Sequence, residues 1–182
     1  ITMEDEMFSI NTFYGNIDGQ GYTVSGIYSD RFISSFVQKN YGVIQNINFA
    51  MKGNADFLTG AAFAYYNYGV IYNCHYTGNI NGGSMYCVQS WNVGGLVADN
   101  YGRLEKCSFT GRVYADDASK AGGVVGYNAG DVCYCSFDGE VDIASASFQC
   151  NSSFQGYVGG FVGYAATNSS VKYCTADVTS VH

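Results

Sequence analysis

An internal repeat constrains the fold of this chain more than any other sequence feature. Five segments share two small residues, an apolar pair, a turn such as Asn-Tyr-Gly and a following strand-like stretch. They begin at Ile33, Gly60, Val93, Ala121 and Val158. The turn asparagines are spaced 27, 33 and 28 residues apart, at Asn40, Asn67, Asn100 and Asn128. Because the motif persists while its spacing varies, each repeat has a constant frame that tolerates insertions at one place.

Within each repeat, apolar or small residues alternate with polar ones. In one such stretch they occupy every second position, at Cys107, Phe109, Gly111 and Val113. A period of two is typical of β-strands, whereas helices have a period of about 3.6. Short strands recurring with this spacing predict an all-β fold, a right-handed parallel β-solenoid of about five to six coils stacked about 4.8 Å apart. A β-propeller is the main rival, but its blades need about 40 to 45 residues.

Stacked coils place equivalent residues above one another, which predicts two inward ladders. One begins with Ile47 and continues with the thiols of Cys74, Cys107, Cys135 and Cys174. The other is aromatic and consists of Phe49, Tyr76, Phe109 and Phe137. We place a corner at Asn46 and Asn73, just before the ladders. We expect the Asn and Gly of each Asn-Tyr-Gly turn to supply the positive φ of a tight turn.

Size and charge exclude several classes of protein. The chain has 182 residues, enough for one hydrophobic core. We divide it into a lead-in coil, residues 1–32, and one continuous solenoid domain of five repeats, residues 33–182. A formal net charge of −7 disfavours nucleic acid as a partner, and no apolar run approaches the roughly 20 residues of a membrane span, so we expect no membrane insertion. Since the chain opens with Ile1, we interpret it as processed or as part of a longer protein, with any export signal outside it.

The cysteines and histidines do not form a recognisable catalytic or metal site. Four of the seven cysteines fall in the ladder, where we expect buried thiols whose Cβ atoms are too far apart for a disulfide. Cys87 and Cys150 lie in insertions and are our preferred disulfide if the protein is exported. Cys133 and Cys135 lack the CxxC spacing of zinc sites. The chain has two histidines, and we expect His75 to face solvent. We therefore predict no catalytic residue, no metal and no cofactor.

Tyrosines recur at the turn and predict a row along one edge of the solenoid. The row contains Tyr41, Tyr68 and Tyr101. In one interpretation these rings pack between coils. In the other they form a platform for sugar rings, because aromatic faces beside Asn and Gln suit polar ligands that carry apolar patches. Asn151 and Asn168 begin glycosylation sequons, which matter where the source organism carries out that modification.

A family resemblance rests on the segment Gly94-Gly95-Leu96-Val97, followed by Asn100-Tyr101-Gly102 and Cys107. This pattern, repeated in residues 122–135, resembles the GLUG motif of bacterial cell-surface proteins, including adhesin-like chains and the non-catalytic parts of some IgA-cleaving peptidases. The resemblance covers most of residues 13–178 and implies a repeat architecture without a catalytic group. The first and last repeats depart from the pattern, as terminal repeats do.

We therefore expect a non-catalytic extracellular or cell-surface module with a structural or adhesive role. Its insertions, residues 81–92 and 143–157, would contact a glycan or another host-surface ligand. One alternative is a subunit of an extracellular filament that stacks end to end, because open coil ends present unpaired strand edges. A further alternative is a polysaccharide-processing β-helix enzyme, but the sequence shows no acid/base pair for that chemistry.

Overall fold

The computed structural model describes residues 9–27, 35–57, 60–83, 91–116, 120–144 and 156–181. In this part of the chain every regular element is a β-strand, and the strands form six stacked coils. All strand pairs are parallel and join successive coils. The architecture is a parallel β-solenoid, as the repeat predicts. None of the described residues belongs to a helix long and apolar enough to cross a membrane.

The strands follow the same order in every coil. In the first three coils the described residues form three strands per coil, namely β1 (Ile10–Phe13), β2 (Asn16–Asp18), β3 (Thr23–Ile27), β4 (Val37–Asn40), β5 (Val43–Gln45), β6 (Asn48–Phe57), β7 (Ala64–Asn67), β8 (Val70–Tyr72) and β9 (His75–Gly83). The last three coils contain four each, namely β10 (Asn92–Gly94), β11 (Val97–Asn100), β12 (Arg103–Glu105), β13 (Ser108–Asp116), β14 (Lys120–Gly122), β15 (Val125–Asn128), β16 (Asp131–Cys133), β17 (Ser136–Ala144), β18 (Tyr157–Gly159), β19 (Val162–Ala165), β20 (Ser170–Lys172) and β21 (Thr175–Val181).

Four sheets run along the described part of the solenoid, and each takes one strand from each contributing coil. Sheet A contains β3, β6, β9, β13, β17 and β21, and sheet B contains β1, β4, β7, β11, β15 and β19. Sheet C contains β2, β5, β8, β12, β16 and β20, and the small sheet D contains β10, β14 and β18. Repeat-equivalent residues are in register, since Leu104 pairs with Ile71 on one side and Val132 on the other.

The core is a bundle of apolar stacks that runs through the middle of the solenoid. Sheet C contributes Ile44, Ile71, Leu104 and Val132, and sheet B contributes Val37, Ala64, Val97 and Val125, all with no solvent exposure. A single coil would expose these side chains on both of its flat sides, so each coil depends on its neighbours for burial. The equivalent residues of the first and last coils, such as Ile17 and Val162, are correspondingly only partly buried.

A residue in the left-handed conformation turns the chain from sheet C into sheet A. In coils 2 to 6 this residue has φ between 51° and 56°, at Asn46, Asn73, Lys106, Tyr134 and Tyr173. The corner predicted at Asn46 and Asn73 is therefore present. Asn adopts this conformation more readily than Lys or Tyr, for which it is less favourable. The stacked coils hold the corner even where the sequence has no residue suited to it.

The expectation that the Asn-Tyr-Gly turn supplies positive φ is wrong, because neither its Asn nor its Gly has a positive φ. The glycine is required for a different reason. A Cβ added to Gly102 would lie 2.1 Å from the carbonyl oxygen of Gly69 in the preceding coil, and one added to Gly69 would lie 2.1 Å from that of Gly42. The turn glycines thus allow successive coils to approach closely at this corner.

The paired glycines of the repeat also serve close packing. A Cβ on Gly94 would lie 2.0 Å from the carbonyl oxygen of Val97, across the sharp corner between sheets D and B. A Cβ on Gly95 would lie 2.1 Å from the carbonyl oxygen of Gly123 and 2.7 Å from the ring of Phe109. A side chain at either position of the Gly-Gly pair would therefore clash with the backbone at the corner or with the aromatic ladder.

Candidate functional site

The thiol ladder lies inside the solenoid. Cys74, Cys107 and Cys135 are buried, and Cys174 in the last coil is half-buried. The backbone N–H of Cys74 donates to Sγ of Cys107 at 3.4 Å, and that of Cys107 donates to Sγ of Cys135 at 3.5 Å. The Cys107 thiol donates in turn to the carbonyl of Glu105 at 3.2 Å. Burial raises the pKa of Cys107 well above its usual value, so this thiol stays protonated and packs as a small apolar group with weak hydrogen bonds.

The five cysteines of the described residues are all free thiols. The predicted disulfide partners Cys87 and Cys150 lie outside the described residues, as do the sequon at Asn151 and most of the two insertions expected to contact ligands. The second sequon is described, and its Asn168 is exposed in the turn before β20.

The aromatic ladder lies on the inner face of sheet A. Phe49, Tyr76, Phe109 and Phe137 occupy equivalent positions in the register. The ring of Phe109 stacks on Tyr76 with centroids 5.4 Å apart and on Phe137 at 5.6 Å. Phe49 stacks on Phe63, a fully buried ring that our sequence analysis did not assign, with centroids 4.9 Å apart.

A buried asparagine ladder, which sequence reasoning missed, follows the ends of the sheet B strands. Nδ2 of Asn40 donates to Oδ1 of Asn67, Asn67 donates to Asn100, and Asn100 donates to Asn128, each at 2.8 Å. All four side chains have no solvent exposure. Each amide must find partners inside the protein, and the neighbouring coils supply them. The sequence feature that indicates this ladder is the Asn that recurs in the repeats, which we had interpreted as a turn residue.

The tyrosine row forms a continuous stack on the outer edge, and Tyr14, also missed from the sequence, extends it. Tyr14, Tyr41, Tyr68 and Tyr101 are spaced 5.0, 4.8 and 5.0 Å between centroids, with interplanar angles of at most 12°. Both faces of Tyr41 and Tyr68 are therefore covered by neighbouring rings. Solvent reaches mainly their edges and hydroxyl groups, while Tyr14, 75% exposed, keeps an outer face. Packing between coils thus uses most of the ring faces that a sugar platform would need.

A buried carboxyl group lies where sheet D meets sheet B. Asp99 is 4% exposed, and Nδ2 of Asn92 donates to its Oδ1 at 2.7 Å. Burial raises the pKa of Asp99 to about 6, although the Asn92 hydrogen bond and the charge of Lys120 oppose this shift. Oδ1 of Asn92 is buried without a hydrogen-bond partner, so protonation of Asp99 would add a donor beside that amide.

A shallow pocket of about 240 Å³ opens on the outer face of sheet C in the last three coils. It is lined by Arg103, Asp131, Cys133, Tyr134, Ser170, Lys172 and Tyr173. Arg103 pairs with Asp131 and Asp131 with Ser170 in the register, while Cys133 pairs with Lys172. Arg103 is held by Glu105 at 2.7 Å. Three coils therefore bring alternating charges together on one surface, and this grouping was not foreseen from the sequence.

The described residues contain no group of three or more His, Cys, Asp or Glu side chains arranged to hold a metal ion. His75 is half-buried and not fully solvent-facing, because its Nδ1 lies 2.7 Å from Oγ of Ser108 in the next coil. Burial lowers the pKa of His75, so the ring is neutral at pH 7. Its surroundings are those of a residue that joins two coils.

The comparison with protein families identifies part of the repeat. The family model described as the GLUG motif matches residues 89–114 and 155–181. These segments contain the paired glycines and most of the strand residues of the fourth and sixth coils. Neither a comparison with curated proteins nor one with solved structures finds a match. The chain therefore carries two copies of the GLUG motif, in equivalent coils of one solenoid.

Proposed function

We propose that this repeat module is non-catalytic, works at a cell surface or outside the cell, and combines a structural role with adhesion. The observation that carries the proposal is the in-register stacking of six coils. The stacking fills the interior with side-chain ladders and repeats the outer surface about every 4.8 Å. A rigid scaffold of this kind suits a spacer that presents a binding surface.

The interior supports the structural part of the proposal. The asparagine ladder joins four coils through three buried hydrogen bonds, and the thiol ladder adds backbone-to-sulfur contacts between neighbouring coils. Buried polar ladders of this kind specify one register, because a shifted coil would leave amides without partners. The chain is therefore expected to behave as one stiff unit.

The outer surface supports the adhesive part. The exposed rings of Tyr134 and Tyr173 lie beside charged side chains around the sheet C pocket. Aromatic rings with nearby hydrogen-bonding groups are suited to sugars, which present both apolar C–H faces and hydroxyl groups. We therefore propose a glycan or another host-surface molecule as the ligand.

A glycan array probed with the purified, labelled protein tests the adhesive role. We expect binding to a subset of glycans that the corresponding free sugar competes away. Absence of binding to every glycan and to host-cell surfaces would contradict adhesion. In parallel, the protein is incubated with plant and microbial polysaccharides, and release of reducing sugar would show a polysaccharide-processing enzyme and refute the non-catalytic assignment.

The end coils favour a second candidate function, the subunit of a filament that stacks end to end. Among the described residues, strands β19, β20 and β21 are paired on one side only, as are β1, β2 and β3 at the opposite end. In the last coil, Val158 and Val171 are 39% and 41% exposed. The chain contains no proline, the residue that commonly blocks strand edges. A second copy would complete both the edges and the apolar stacks.

Electron microscopy and light scattering over a range of protein concentrations test this alternative. A filament predicts particles that lengthen with concentration, and Val171→Lys, which places a charge on the open end, should return the protein to single units. Monomeric particles at every concentration would exclude end-to-end assembly of this chain.

A further inference from the structure

We propose that the pocket on sheet C binds one neutral sugar residue of a glycan. The pocket is built by β12, β16 and β20 together with the corner residues that follow β16 and β20. The assignment rests on the adhesive role proposed above and names the place and the chemical class of its ligand.

The charges of the pocket select a neutral ligand that is rich in hydroxyl groups. Among the described residues, the Lys172 ammonium and the Asp131 carboxylate take part in no ion pair or side-chain hydrogen bond, whereas Arg103 is held by Glu105. Asp131 disfavours an anion such as phosphate, and Lys172 disfavours an amine. A sugar satisfies both groups, because one hydroxyl donates to the carboxylate and another accepts from the ammonium.

The tyrosine pair supplies the apolar wall. The rings of Tyr134 and Tyr173 are stacked with centroids 5.0 Å apart and an interplanar angle of 14°, and Tyr173 remains 75% exposed. Both rings line the pocket, so the exposed ring surface that they present to it can contact the C–H groups of a sugar. The volume of about 240 Å³ lies below the roughly 300 to 1,000 Å³ of pockets for drug-sized ligands, so the pocket accommodates a single ring.

Cys133 provides a reporter at the pocket itself. It lines the pocket and is a half-buried free thiol, and Cys174 is a half-buried free thiol that does not line it. The protein is alkylated with iodoacetamide alone and with methyl glycosides of glucose, galactose, mannose and N-acetylglucosamine, and mass spectrometry follows each cysteine separately. At a sugar concentration about ten times its Kd, about a tenth of the pockets are empty, so alkylation of Cys133 should slow about tenfold. Alkylation of Cys174 should not change.

Matched variants separate the pocket from the rest of the surface. Asp131→Asn removes the carboxylate charge while keeping its shape, and Asp138→Asn, at an exposed position of β17 in the same coil, is its control. Tyr173→Ala removes the wall, and Tyr22→Ala, at a ring 71% exposed, is its control in the first coil. Each pocket variant should weaken sugar binding about tenfold or more, since hydrogen bonds to charged groups and aromatic contacts contribute on that scale. The controls should bind as the wild type does.

Two results would overturn the inference in distinguishable ways. If glycans bind, but Cys133 is not protected and the pocket variants bind normally, the ligand lies elsewhere and adhesion stands without this pocket. If none of the four glycosides and no glycan on the array binds, the pocket assignment fails, and if host-cell surfaces are not bound either, the adhesive role fails with it. Protection of Cys133 that Asp131→Asn abolishes supports both.

Discussion

Replacing Asp99 by Asn should stabilise this protein at neutral pH and leave its stability unchanged in acid. Burial holds the pKa of Asp99 at about 6 in the folded protein, against 3.8 for the free carboxyl group. Between these two values the folded chain binds more protons than the unfolded chain, so the free energy of unfolding falls as the pH rises. The stabilisation by protonated Asp99 is fully present below pH 3.8 and is lost once the pH exceeds about 6.

The size of this effect follows from the two pKa values. A tenfold change in an ionisation constant corresponds to about 1.4 kcal/mol, so moving from 3.8 to about 6 makes ionisation of Asp99 costlier in the folded state by roughly 3 kcal/mol. Asn has nearly the same shape, carries no charge at any pH and can still accept the hydrogen bond from Asn92. Asp99→Asn should therefore be about 3 kcal/mol more stable than the wild type at pH 8 and equally stable near pH 3.5.

Urea unfolding followed by circular dichroism at several pH values between 3.5 and 8 measures this difference. Asp138→Asn is the control, because Asp138 is exposed on β17 and its replacement should change stability little at any pH. Comparing variants at the same pH removes the contributions of all other titrating groups. If the wild type and Asp99→Asn show parallel pH profiles, Asp99 ionises freely in the folded protein, and the reasoning from burial is wrong.

Three further predictions concern the ladders. Asn100→Ala removes two ladder hydrogen bonds and leaves the facing amide groups without partners, so it should lower the free energy of unfolding in urea by about 3 kcal/mol. Asn128→Ala, at the end of the ladder, should lower it less, and equal losses would argue against a continuous ladder. Gly102→Ala places a Cβ 2.1 Å from the carbonyl oxygen of Gly69. This overpacking should destabilise the fold by about 1 to 3 kcal/mol and lower the thermal midpoint, and wild-type stability would contradict the close approach of the coils. Peptide mapping without reduction should find Cys74, Cys107 and Cys135 as free thiols, and a disulfide between any two of them would be incompatible with the described ladder.

Much of the fold could be predicted because the alignment of the repeats indicates which residues are in contact. In a stack of coils, residues at equivalent positions are neighbours, so aligning the repeats places Phe109 beside Phe137 and Cys107 beside Cys135. The alternation of period two separates inward from outward positions within each strand. Both arguments need only local sequence and the strand spacing, and both led to the correct register in sheet A.

The site was harder to predict because its groups meet across different parts of the coil. Asn100 has the same local sequence whether its amide supports a turn or points into the core, and only the neighbouring coils, 28 and 33 residues away, decide between them. Asn92 and Asp99 meet because the chain reverses sharply at a glycine pair. Asp131 and Lys172 come from different coils, and neither belongs to the residue pattern that recurs among the repeats of this chain.

The sequence by itself determined that this chain forms stacked β-coils, because periodic side chains can all be buried only when equivalent positions coincide. The tertiary structure alone decided which polar groups are buried together, how far the tyrosine faces are covered and where a pocket opens. These features depend on distances between side chains of successive coils and on the backbone's approach at each corner. Such distances follow from packing in three dimensions, and no local pattern in the sequence encodes them.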